Sequence, residues 1–71
     1  MYILNQEKNC IVKEFISINI YREGVFFNLS AVYNGGEEWL GEYPSYDRAL
    51  EVLQDMFKAM SRKEYTYEMP W

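Results

Sequence analysis

The chain has 71 residues, one cysteine, no histidine and a net charge of −4. That length gives one domain, residues 1–71, and the missing residues exclude an intrachain disulfide, a histidine-ligated metal and a histidine general base. The negative field opposes double-stranded nucleic acid and anionic membrane surfaces.

The opening Tyr2–Leu4 run, the polar turn Asn5-Gln6-Glu7-Lys8-Asn9 and the Cys10-Ile11-Val12 run predict a short hairpin. No basic region followed by an apolar stretch precedes it, and no run reaches the ~20 apolar residues of a membrane span. With one free cysteine, the expected compartment is a reducing cytoplasm. From Phe15 to Arg22 the chain alternates, with Ile16, Ile18 and Ile20 on one face, which predicts a strand. Glu23-Gly24 is a turn. Val25 to Tyr33 is the next strand, with Val25, Phe27, Leu29, Ala31 and Tyr33 sharing the core face. Asn34-Gly35-Gly36 turns the chain into a third long strand, Glu38 to Tyr43, with Trp39, Gly41 and Tyr43 on one side.

Pro44 ends that strand, and Ser45 is suited to cap a helix over about 46–62. Tyr46, Ala49, Leu50, Leu53, Phe57 and Met60 give its apolar stripe. The tail 64–71 alternates polar and apolar residues, and either adds an edge strand or docks on a neighbouring subunit. The fold class is α+β: an antiparallel β-meander of three to five strands, one C-terminal amphipathic helix packed on one face, and a short aromatic tail.

Two Trp, seven Tyr and four Phe are more large rings than one small core needs. One helix covers one sheet face, so Phe15, Tyr21, Phe26, Val32, Trp39 and Tyr43 are the expected interface residues of a homo-oligomer, unless the tail covers that face. Catalysis is not expected. The paired acids Glu37-Glu38 and Glu51/Asp55 fit a turn and a solvated helix face. Cys10 lacks a base and fits a small buried hydrophobe. No phosphate loop, cofactor motif or metal-ligand spacing is present.

The residues Leu40-Gly41-Glu42-Tyr43, Ser45, Arg48-Ala49 and Val52-Leu53 resemble a strand-to-helix motif of small, mostly uncharacterised proteins of Firmicutes and of their phages and mobile elements. Met1-Tyr2-Ile3, Asn5-Gln6 and the run Tyr67 to Pro70 extend the resemblance to both ends. It implies an accessory protein used against a bacterial host, one that inhibits a defence protein or sequesters a nucleotide immune signal. The shared motif is structural, so it implies no catalytic residue and no cofactor.

Two binding readings are open. In the first, a homo-oligomer holds a small anionic nucleotide through Arg22, Arg62, Lys63, Tyr65, Tyr67 and Trp71, combining cations with stacking rings. In the second, Glu37, Glu38, Glu42 and Trp39 face a basic host protein, and the chain is an inhibitor or adaptor.

Overall fold

A computed structural model describes residues 1–71. Tyr2–Leu4 forms β1 and Ile11–Val12 forms β2, paired antiparallel with Ile3 opposite Val12. Asn5 closes the turn between them. Its Oδ1 accepts from the N–H of Asn9 at 3.0 Å and of Cys10 at 3.2 Å.

Ser17–Glu23 forms β3, Phe26–Tyr33 forms β4 and Gly36–Tyr43 forms β5, an antiparallel sheet in the order β3-β4-β5. The first of these begins two residues later than the alternation predicts. The chain bends at Ile16 as it passes from the first sheet to the second, and Ile16 is 74% exposed. Gly24 and Val25 make a two-residue turn, and Gly24 supplies the positive φ of 64° that the turn requires. Val25 therefore lies in the turn, not on the core face. Ile18 and Ile20 pair with the buried Ala31 and Leu29, which places them on the core side as expected.

The third long strand corrects one expectation. The register slips between Leu29 and Ser30: Leu29 faces Gly41 while Ser30 faces Trp39. This β-bulge inserts Leu40 as an extra residue, and alternation reverses across it. Trp39 points to one face of the sheet and Gly41 and Tyr43 to the other. Tyr43 is 1% exposed, so it belongs to the core and is not an interface residue. Its ring lies over Gly41, where an added Cβ would meet the Tyr43 hydroxyl at 3.0 Å.

Tyr46–Ser61 forms α1. Ser45 caps it, accepting from the Arg48 N–H at 3.1 Å, and Asp47 sits in the first turn near the positive end of the dipole. The apolar sector is wide, and the sheet selects the row Ala49, Val52, Met56 and Ala59. Two alanines let the helix approach closely. Leu53 and Met60 are left half-buried, Phe57 is 70% exposed, and Tyr46 packs edge-on against Phe27 at 5.9 Å. The expected stripe is thus rotated toward Val52 and Met56.

The helix ends in a Schellman motif: the Lys63 N–H reaches the Met60 carbonyl and the Glu64 N–H reaches that of Ala59. Lys63 takes the left-handed position, φ 58°. That conformation costs a non-glycine residue ~1–2 kcal/mol. Glycine also loses more entropy on folding, ~0.4–1 kcal/mol. Lys63→Gly should therefore stabilise the fold by about 0.5–1 kcal/mol, seen as a higher urea midpoint. An unchanged or lower midpoint would refute this.

The tail returns along the helix. Thr66–Glu68 forms β6, parallel to β1, so the first sheet has the order β2-β1-β6. It neither extends the meander nor covers the far face of β3-β4-β5. The Arg48 Nη2 holds the Trp71 carbonyl at 2.7 Å and Tyr67 donates to Asp55 Oδ2 at 2.7 Å. Ile3, Val12 and Met69 from the first sheet join Leu29, Ala31, Leu40, Tyr43, Ala49, Val52 and Met56 in one core.

Candidate functional site

The residues proposed for an anionic ligand do not meet. Arg22 stands at the β3–β4 turn, its Nε on the Gly24 carbonyl at 2.9 Å and its guanidinium over the Phe27 ring at 5.9 Å. Phe27 touches Tyr46 at the start of the helix. Arg62 and Lys63 follow its far end, ~24 Å away along a 16-residue helix. Arg62 is paired with Glu64 at 2.6 Å. Tyr65 is 84% exposed beside them, and Tyr67 is a half-buried tail anchor. The Trp71 side chain is exposed, and its carbonyl accepts from Arg48. These residues fall in three separate places on one chain. The groove between helix and tail does hold Arg48 and Lys58, with Tyr67 and Pro70, but Glu51 and Asp55 line it too. Arg48 is ion-paired with Glu51.

The far face of β3-β4-β5 is more coherent. Cross-strand pairing sets Tyr21 beside Asn28 and Glu42, Asn19 beside Ser30 and Trp39, and Ser17 beside Val32 and Glu37. Phe26 and Glu23 complete one end. No helix lies on this side. Trp39 Nε1 donates to Asn28 Oδ1 at 2.8 Å, which fixes the indole across the sheet and encloses Asn28 and Ser30. The Asn28 Nδ2 is enclosed with no acceptor. Burial pushes the Tyr21 phenol up, and the carboxylates of Glu23, Glu37 and Glu42 push it further. Three acids thus surround an aromatic floor of Tyr21, Trp39 and Phe26.

Two expected members of this face lie elsewhere. Glu38 pairs with Ala31, on the helix side, and it raises the Cys10 thiol pKa second only to burial. Phe15 lies with the helix, in an apolar groove of about 370 Å³ with Ile18, Leu53, Met56, Phe57 and Met60. In the sequence the apolar stripe of Tyr46, Ala49, Leu50, Leu53, Phe57 and Met60 spans more than one row of the helix. Its width was the signal for this groove, because a stripe wider than one row cannot all face a single sheet.

No group of three or more Cys, Asp or Glu side chains is placed to hold a metal ion, and the helix is not long and apolar enough to cross a membrane. Compared with known proteins, the chain matches no family model, no curated protein and no solved structure.

Proposed function

We propose that this chain is a non-enzymatic binding protein whose far sheet face engages a basic segment of a partner protein. The observation that carries the reading is the cluster of Glu23, Glu37 and Glu42 around the rings of Tyr21 and Trp39 on a face that no other element covers. Rings there offer Lys and Arg stems an apolar, cation-attracting floor, and the acids supply steering and charge pairing at the rim. An inhibitor or adaptor acting in the host cytoplasm fits this surface. Sequestering a nucleotide has less support, since the cations that reading needs are dispersed along the chain.

The test is capture of a partner from host lysate, with two charge reversals compared. Glu42→Lys should abolish recovery of the captured protein. Glu51→Lys alters the net charge equally on the helix face and should leave recovery intact. Equal loss in both variants would mean the acid effect is nonspecific. Full recovery with Glu42→Lys would refute the face.

A further inference from the structure

We infer that Asn28 reads the main chain of the bound segment, so that the ligand of the acidic face is an extended basic peptide and not a polyamine or other small cation. The inference rests on the binding function proposed for that face and names its ligand class.

Asn28 sits at the centre of the face. In the ladder it lies between Tyr21 of β3 and Glu42 of β5. It is 2% exposed, and the Trp39 indole donates to its Oδ1 at 2.8 Å. An indole N–H only donates, so this bond fixes the carboxamide with its oxygen toward the indole. The remaining group, Nδ2, is enclosed and has no acceptor. A buried donor normally has one. The groups best placed within the chain, the Tyr21 hydroxyl and the Glu42 carboxylate on the flanking strands, do not take it.

The acids and rings select a cation, but a cation cannot answer Nδ2. Lysine and arginine heads carry donors only. The missing acceptor must come from another part of the same ligand, and in a basic peptide that part is the main-chain carbonyl. Asn28 Oδ1 keeps a second lone pair beside its bond to Trp39. The carboxamide therefore matches both polar groups of one peptide unit, with C=O on Nδ2 and N–H on Oδ1.

The spacing of the acids fits an extended chain. Glu42 stands opposite Asn28 and Glu37 opposite Val32, four residues along β4, or ~13 Å at ~3.3 Å per residue. An extended basic segment of that length turns every second side chain toward the sheet and reaches both acids. Because Nδ2 is enclosed, the half-buried Trp39 ring must swing aside to admit the carbonyl. Such rotamer changes are common when interfaces form.

Calorimetric titration with two cations of equal charge tests this: tetralysine blocked at both ends, and spermine, which has no carbonyl. The parent chain should bind tetralysine ~5–10-fold tighter than spermine, the effect of one gained hydrogen bond. Asn28→Asp keeps the side-chain shape and an oxygen toward Trp39 but removes the donor. Its added charge strengthens both probes, so the ratio is the readout, and it should fall to about 1. In Trp71→Phe, Trp39 is the one remaining indole. Its emission should shift with tetralysine and stay fixed with spermine. That measurement leaves Asn28 untouched, so it decides the matter even where Asn28→Asp fails to fold. Binding of neither probe would overturn the acidic face and this inference with it. Equal binding of both, or a fixed Trp39 emission with tetralysine, would leave the face standing and overturn the main-chain contact. A preference retained in Asn28→Asp would overturn the role of Asn28.

Discussion

Replacing Gln6 with Ala should cost about 2–4 kcal/mol, since the Glu42 N–H and carbonyl each lose their partner at ~1–3 kcal/mol, while the Pro70 carbonyl keeps its bond from the Tyr43 hydroxyl. Gln6 is buried, and its amide bonds across the molecule. Nε2 donates to the Glu42 carbonyl at 3.2 Å and to the Pro70 carbonyl at 3.1 Å, and Oε1 accepts from the Glu42 N–H at 2.9 Å. One side chain therefore ties together the first turn, the edge of β5 and the tail. A 71-residue domain has a total stability of only ~4–10 kcal/mol, so the variant should be substantially unfolded or melt far below the parent. Gln6→Glu separates the lost bonds from the lost volume. Its carboxylate keeps the acceptor role but cannot donate, and burial disfavours its charge. Its folded pKa is therefore raised, and its stability should recover toward the parent as the pH falls and the acid regains a proton to donate. Urea unfolding at neutral and acid pH reads both effects. A Gln6→Ala cost below about 1 kcal/mol, the net worth of one ordinary hydrogen bond, would refute the role.

The helix, its cap and the alternating strands could be read from the residues because local chemistry sets them: Ser45 before an amphipathic run, isoleucines at every second position, Gly24 at a two-residue turn. The bulge could not. Nothing in Trp39-Leu40-Gly41 announces an extra residue, because the bulge arises from pairing with Leu29 and Ser30, which are distant in the chain. That single slip moved Tyr43 from the expected interface into the core and left Trp39 as the ring of the open face. The tail adds an edge strand, one of the two outcomes expected of it, but which strand it would join could not be read, for a related reason. Thr66–Glu68 reads as a strand, but its parallel pairing with β1 is non-local and depends on where the helix delivers it. The site followed the same division. Trp39, Glu37 and Glu42 could be chosen as a group and Tyr21 was expected beside Trp39 on the open face, whereas Glu23 joined them only through the register of β3. Glu38, one residue from Glu37, dropped out because neighbours on a strand face opposite ways.

Raising the pH from neutral to ~12 should destabilise the fold steeply above pH ~10, where free tyrosine begins to ionise. Tyr43 is enclosed, donates to the Pro70 carbonyl at 2.7 Å, and has a phenol pKa pushed up to about 12 by burial, with Arg48 pulling the other way. Its folded pKa lies above its unfolded one, so its neutral form contributes full stability below pH ~10 and loses it as the pH climbs through about 12. A shift of about two pH units corresponds to about 3 kcal/mol, a large part of what such a domain has. Tyr67 moves the same way, through burial and its bond to Asp55, and both hydroxyls hold the tail. Alkali should therefore release residues 66–71 as it unfolds the core. Tyr43→Phe supplies the control. It should lose about 1 kcal/mol at neutral pH with the hydrogen bond, but its stability should fall less between pH ~10 and ~12 than the parent's. Urea midpoints followed by tryptophan fluorescence across that range would show the difference. A parent midpoint that stays level to pH ~12 would contradict the enclosed, donating phenol.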